Sequence, residues 1–160
     1  MDETCRLSLR LSNLKVISPK VFQTNLALIE VDLRNNRLTS LPDQICNQSQ
    51  LRELRLDYNF LYMLPTRVNR LQNLSYLSIS QNNLKQIPTN LMLLNRNLTT
   101  LILNDNKISQ IQHKIGNLTS LKTLLLHNNL IKDMPSSLYR LYQLEHFSLD
   151  WFLYLSSEYL

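Results

Sequence analysis

Glycine is almost missing from this chain: among 160 residues only Gly116 is present. A glycine-rich loop that lets backbone amides close on phosphates is therefore excluded. The G-x-S-x-G elbow of a serine hydrolase, the H-E-x-x-H of a zinc peptidase and the C-x-x-C of a redox or metal site are absent as well. No stretch approaches the roughly 18 consecutive apolar residues that a membrane-spanning helix needs. Clusters of one charge sign are missing too. The 17 Lys and Arg outnumber the 12 Asp and Glu and give a net charge of +5, yet the cations stand singly, as at Lys20, Lys85, Arg96, Lys114 and Arg140. Phosphate backbones and anionic membranes are held by grouped cations. Neither nucleic acid nor membrane is expected as a partner.

What the chain has in excess is Leu and Asn, within a hydrophobic content of 44% that suffices for a continuous core. Aligning Leu28, Leu51, Leu74, Leu98, Leu121 and Leu144 gives intervals of 23, 23, 24, 23 and 23 residues. From each leucine one template follows, L-x-x-L-x-L-x-x-N-x-L-x-x-L-P. The second regular repeat reads Leu51, Leu54, Leu56, Asn59, Leu61, Leu64, Pro65, and the first reads Leu28, Val31, Leu33, Asn36, Leu38, Leu41, Pro42. The third continues with Leu74, Leu77, Ile79, Asn82, Leu84, Ile87, Pro88. In the fourth, Leu98, Leu101, Leu103, Asn106, Ile108 and Ile111 are followed by Gln112 in place of proline; the fifth ends Asn129, Ile131, Met134, Pro135.

This pattern resembles the leucine-rich repeat family, and its 23-residue L-P form is similar to the intracellular class related to Ras-binding scaffolds. The resemblance implies an α/β fold: a right-handed horseshoe solenoid with one short strand per turn, a parallel sheet on the concave side and short 3₁₀ or irregular segments on the convex side. It covers Leu28 to Leu144 strongly and both ends weakly. One domain is expected, with residues 1–27 a degenerate first repeat, 28–143 five regular repeats, and 144–160 a degenerate last repeat or cap. At the start, Thr4 replaces the first leucine and Ser12 the asparagine. At the end, Phe152 stands where asparagine belongs, and Trp151, Tyr154 and Tyr159 accompany it as candidate covers for the last open face of the core.

Elementary physics leads to the same coil. The L-x-L core has the strand period of two, so Leu54 and Leu56 point inward while Glu53, Arg55 and Asp57 point out. Such a strand is too short to stand alone, but stacked turns bury what their neighbours leave open. Asn36, Asn59, Asn82, Asn106 and Asn129 fall where the strand ends, and an amide that both donates and accepts can satisfy turn backbone inside the coil. Pro42, Pro65, Pro88 and Pro135 fix φ and hold the preceding residue extended, turning the chain toward the convex side. Cys5 in the first strand and Cys46 beyond the second turn are too far apart to bridge.

Compartment is read from the ends and the thiols. Met1-Asp2-Glu3-Thr4-Cys5-Arg6 is acidic and polar where a secretory leader is basic and then apolar, and unpaired cysteines suit a reducing compartment. A cytoplasmic, monomeric protein is the expectation. Against it, Asn47-Gln48-Ser49, Asn73-Leu74-Ser75, Asn97-Leu98-Thr99 and Asn117-Leu118-Thr119 match the N-glycosylation triplet, and a removed leader leaves the same sequence behind.

Stacking in register turns outward positions into columns. The first runs Arg6, Glu30, Glu53, Tyr76, Thr100, Thr123, His146, and the central one Ser8, Asp32, Arg55, Ser78, Ile102, Leu125, Ser148. The third runs Arg10, Arg34, Asp57, Ser80, Asn104, His127, Asp150, with Asn35, Tyr58, Gln81, Asp105, Asn128 and Trp151 beside it. Charges gather toward the N-terminal turns, where Arg6 with Glu30, Asp32 with Arg55, and Arg34 with Asp57 are expected to pair across strands. Toward the C-terminal turns Ile102 and Leu125 stand as exposed apolar neighbours with Tyr58, Tyr76, His127 and Trp151 around them. An apolar, aromatic centre with a charged rim is the composition of a protein-binding hot spot. His127 and Asp150 are lateral neighbours with no nucleophile beside them, His113 lies on a convex turn, and His127 and His146 are four positions out of register, so no catalytic or metal site is expected.

The sequence thus points to a non-enzymatic scaffold or adaptor without cofactors, docking a protein on its concave face. Tyr58, Tyr76, Ile102, Leu125 and Trp151 would supply affinity, and Arg34, Arg55 and Asp57 orientation, with His127 in the same patch. The resemblance implies small GTPases or phosphatases as the partner class. The alternatives are the recognition part of a larger enzyme or receptor, and a secreted ectodomain.

Overall fold

Each L-x-L core becomes one short strand. The computed structural model describes residues 5–23 and 27–150, and among them lie seven strands: β1 (Cys5–Ser8), β2 (Leu28–Asp32), β3 (Glu53–Arg55), β4 (Tyr76–Ser78), β5 (Thr100–Ile102), β6 (Thr123–Leu125) and β7 (His146–Ser148). They form one parallel sheet in chain order, β1 to β7, which is the open solenoid expected of repeated turns with no strand crossing another. Leu54 pairs with Val31 on one side and Leu77 on the other, and the inward row continues through Leu101 and Leu124 to Phe147.

The ladder runs on beyond the formal strands. Leu33, Leu56, Ile79, Leu103 and Leu126 each donate N–H to the carbonyl of the next turn, with N···O distances of 2.8–2.9 Å. Between strands the chain crosses to the opposite side in 3₁₀ turns at Pro19–Phe22, Asp43–Asn47, Val68–Arg70, Thr89–Leu93, His113–Asn117 and Ser136–Arg140. Pro42, Pro88 and Pro135 stand immediately before three of these, and Gln112, before a fourth, takes the same backbone conformation at φ −70°, ψ 146°. The turn therefore sets the conformation and proline only pre-forms it.

The core is a column of leucine and isoleucine shared by neighbouring turns. Leu51, Leu56, Leu61, Leu71, Leu74, Leu77 and Ile79 are wholly buried. The last described turn is less well covered than the template implies: Phe147 is 39% exposed and Met134 37%. The aromatic cap expected from Trp151, Phe152, Tyr154 and Tyr159 lies outside the described residues.

The asparagine column does what its chemistry suggests. Asn59 Oδ1 accepts from Leu38 N at 3.0 Å, and its Nδ2 donates to Leu33 O at 3.0 Å and Leu56 O at 3.1 Å. Asn82, Asn106 and Asn129 repeat the arrangement one turn later each time. Each amide thus ties the end of its own strand to the turn before it. The sequence did not expose what makes room for this. Asn35, Tyr58, Gln81, Asp105 and Asn128, each one residue ahead of a ladder asparagine, have φ between 54° and 57°, the left-handed region that brings the asparagine into the coil.

Gly116, which has an ordinary φ, serves close approach instead. A Cβ built there would stand 2.6 Å from Ser137 O in the next turn. Cys46, at the corresponding place between Ile45 and Asn47, is buried and free. Burial, aided by the nearby Asp43, pushes its thiol up to about 11.

Candidate functional site

The outward rows of the sheet form one broad surface, and the expected register holds. Arg6, Glu30, Glu53, Tyr76, Thr100, Thr123 and His146 align laterally, as do Ser8, Asp32, Arg55, Ser78, Ile102, Leu125 and Ser148. The third row follows from amide bonds linking Arg34, Asp57, Ser80, Asn104 and His127 through their neighbours.

Ionic contacts within those rows are partly rearranged from expectation. Arg6 Nε does meet Glu30 Oε2 at 3.2 Å. Arg34, however, folds back along its own strand and binds Asp32 with two bonds, Nε to Oδ1 at 2.9 Å and Nη2 to Oδ2 at 2.6 Å. That bidentate bond holds the Asp32 carboxyl below its ordinary range, against the opposing effect of burial. Asp32 is thereby unavailable to Arg55, and the expected pair is not made. Arg55 instead binds Glu53 Oε2 at 2.7 Å, approaches Glu30 at 3.7 Å and lies over the Tyr76 ring, 4.9 Å from its centroid. The Arg34–Asp57 pair is not made either. Asp57 accepts from Ser78 Oγ, and from Ser80 N at 2.8 Å.

The reason is reach. Two residues along one face of a strand stand close enough for a long guanidinium to bridge, so a cation on this sheet chooses among acids along its strand and across it. Here bidentate geometry, which favours Arg–carboxylate pairs, selects the neighbour along the strand.

Ile102 and Leu125 are side by side in the central row and half-buried instead of fully exposed. Tyr58 projects fully, at 57% exposure, while Tyr76 is half-buried beneath Arg55. His127 Nδ1 lies 3.1 Å from Ser148 Oγ. Asp150, the expected partner of His127, instead accepts from Asn128 N at 2.6 Å. Asn104 Oδ1, in the row beside Ile102, is buried without a hydrogen-bond partner. Trp151 lies outside the described residues. The surface therefore brings together Tyr76, Arg55, Ile102, Leu125 and His127, with Arg34, Asp57 and Tyr58 at its N-terminal margin.

Among the described residues no group of three or more His, Cys, Asp or Glu could hold a metal ion, and no helix is long and apolar enough to cross a membrane. Sequence reasoning passed over Phe60, Tyr62 and Met63, which are exposed together beside Tyr58. They occupy the unspecified positions of the template, and only comparison with Arg37 and Asn83 in adjacent turns could have flagged Phe60 as out of place.

Comparison with known proteins is consistent with this architecture. The leucine rich repeat family model matches residues 5–61 and 96–151. The NT-3 growth factor receptor of Sus scrofa is 42% identical over 55 residues, 34% of this chain and 7% of the receptor. Among solved structures, the Arabidopsis receptor kinase HAESA, in complex with the peptide hormone IDA and a co-receptor, superposes with a TM-score of 0.75 at 30% identity over 89% of this chain and 26% of that one. An internalin of Listeria monocytogenes gives 0.72 at 28% identity, over 84% and 38% respectively. A leucine-rich repeat protein of Leptospira interrogans gives 0.66 at 30% identity, over 84% and 40%. This chain spans well under half the length of each of these proteins.

Proposed function

This chain belongs to the leucine-rich repeat family, and from that premise we propose that it is a protein-binding module whose concave sheet docks a protein partner at the row centred on Ile102 and Leu125. The observation that carries the reading is that adjacent pair of apolar side chains, half-buried in the middle of an otherwise polar outward row. A partner that covers them removes apolar surface from water, and nothing in the strand register requires leucine or isoleucine there. Arg55, held by Glu53 and stacked on Tyr76, is pre-organised and loses little freedom on contact. Arg34 and Asp57 orient the partner from the margin, and Tyr58 and His127 extend the surface.

The module acts without cofactor or chemistry of its own, as a scaffold or adaptor in cytoplasmic signalling. Support for that compartment comes from the two free cysteines, one of them buried. By resemblance to the 23-residue L-P class, small GTPases or phosphatases are the proposed partners, met by a monomer built as one domain over residues 1–160.

A second reading has its own support. Several similar proteins are receptors, among them the NT-3 growth factor receptor and HAESA, and Asn47, Asn73, Asn97 and Asn117 of the four glycosylation triplets are all exposed. On that reading the chain is the recognition part of a larger receptor or a secreted ectodomain.

Two measurements separate these. Quantitative pull-down with the wild type and with Ile102→Ala/Leu125→Ala should lose the specific partners in the double variant; unchanged recovery of all of them removes the concave patch from consideration. A mass shift on endoglycosidase treatment of the native protein would replace the cytoplasmic reading with the secreted one.

A further inference from the structure

The edge where the chain leaves the sheet and turns toward the convex side carries a surface that concave docking does not use. In the second regular repeat Phe60 and Tyr62 are 53% and 55% exposed, and Met63 is exposed beside them. Phe60 N donates to Leu38 O at 2.9 Å, so the backbone presenting this ridge is fixed to the turn before it. Two shallow depressions of about 140 and 160 Å³ flank the ridge. Met63 and Pro65 line both; Leu41 closes one and Pro88 the other.

The same edge holds uncommitted cations. Lys15, Arg37, Lys85, Lys107 and Lys132 are all exposed, and among the described residues none joins an ion pair, whereas Arg6, Arg34 and Arg55 on the sheet each do. Template positions place Arg37 beside Phe60 in the preceding turn and Lys85 beside Tyr62 in the following one. Opposing them on this edge are Asp43, at the first depression, Asp105, two residues before Lys107, and Asp133, four turns beyond Asp43.

We propose that this edge is a second docking surface, whose occupant is an acidic peptide segment of a protein partner with bulky apolar side chains. Those side chains enter the depressions beside Met63, and the carboxylates meet Arg37, Lys85 and Lys107. An acidic peptide fits better than nucleic acid because the depressions are lined by Leu41, Met63, Pro65 and Pro88, and the cations are single and spread from Lys15 to Lys132, where phosphate binding uses a continuous basic track. The inference stands independently of the concave-face reading.

The test is selection from a random phage-displayed peptide library on the purified chain, followed by fluorescence anisotropy with the enriched peptides. They should carry excess Asp and Glu together with Phe, Leu or Trp, and should bind more weakly as salt rises from about 0.1 to 0.5 M. Affinity should fall by about tenfold or more in Phe60→Ser/Tyr62→Ser and in Lys85→Glu/Lys107→Glu. It should be unchanged in Ile102→Ala/Leu125→Ala. All substituted side chains on the edge are exposed, and circular dichroism verifies that the variants fold. No enrichment, enriched peptides without acidic excess, or binding that survives both edge variants overturns the proposal. So does a poly-uridine probe bound more tightly than the peptides and released by the same edge substitutions.

Discussion

Asn82→Ala isolates the contribution of the asparagine column. In the folded chain Asn82 Oδ1 accepts from Leu61 N at 2.9 Å, and Nδ2 donates to Leu56 O and Ser80 O at 3.0 Å and to Ile79 O at 3.3 Å. Truncation does not orphan these groups equally. Leu56 O keeps Asn59 Nδ2 at 3.1 Å, Ile79 O keeps Asn106 Nδ2 at 2.8 Å, and Ser80 O keeps Tyr58 N at 2.9 Å. Leu61 N is different, since Asn82 Oδ1 is the acceptor the structure gives it and the site is buried. One orphaned amide costs about 1–3 kcal/mol, and three weakened carbonyl contacts add a smaller sum, so a loss of about 2–4 kcal/mol is expected.

Asn82→Asp tests the donor half separately. The carboxylate still accepts from Leu61 N but turns negative charge on three carbonyl oxygens, so its folded-state pKa must rise above the unfolded value. The variant is therefore most stable when protonated in acid and loses stability as pH rises through the folded pKa. Urea unfolding followed by circular dichroism at pH 7, and at a mildly acidic pH where the wild type remains folded, measures both effects. An alanine variant within about 0.5 kcal/mol of wild type, or an aspartate variant that matches wild type at pH 7, would refute the assignment of the column as the coil's internal fastening.

The other expectations concern backbone and thiol. Gln112→Pro should stabilise by about 0.4–1 kcal/mol, because Gln112 already has proline-like dihedrals and its Oε1 is buried without a partner; thermal melts read the gain. Gly116→Ala should cost about 1–3 kcal/mol, since the added methyl meets the Ser137 carbonyl at 2.6 Å and a backbone cannot step aside cheaply; the same melts would show it. Tyr58→Asn should raise stability by about 1 kcal/mol, because Tyr58 has φ 57° where asparagine is far better tolerated, while weakening partner capture if the exposed ring is part of the docking surface. Cys46, raised to about 11 by burial, should resist alkylation at pH 8 until the chain unfolds. Because folding favours its protonated form, that contribution to stability is intact below the thiol's unperturbed value of 9.0 and fades as pH rises toward 11.

Fold and register were legible because two periods coincide in one string. A 23-residue interval sets which residues stack, and a period of two sets which face them outward, so the pairing of Arg55 with Asp32 and Ser78 in register needed nothing further. Side-chain partnership was legible only in part: Arg6 meets Glu30 as its register implies, but the other expected pairs do not form. Register places Asp32 beside Arg55, but Arg34 reaches Asp32 first along the same strand, a competition decided by conformations that no spacing encodes. The left-handed residue ahead of each ladder asparagine had a visible trace, since Asn35, Asp105 and Asn128 are types that tolerate that conformation, yet Tyr58 and Gln81 in the same column obscured it. Burial toward the last described turn also escaped the pattern: Met134 fits the template as well as Leu64 does, yet it is 37% exposed where Leu64 is 4%.

The two candidate surfaces differ in how their charges are already used. On the sheet, Arg6, Arg34 and Arg55 have carboxylates within 4 Å, so a partner arriving there meets a largely neutralised surface and gains mainly by covering Ile102, Leu125 and the tyrosines. Breaking those local pairs to form new ones would exchange one set of contacts for another with little net return. On the edge, Arg37, Lys85 and Lys107 are unpaired among the described residues, and their field extends into solvent over about 8–10 Å at ordinary ionic strength. Contact there would be guided at a distance and weakened by salt, whereas contact on the sheet would depend on shape and apolar fit. A partner that bridges both surfaces would be steered by the edge and held by the sheet, with the affinity and the encounter rate assigned to different residues of one module.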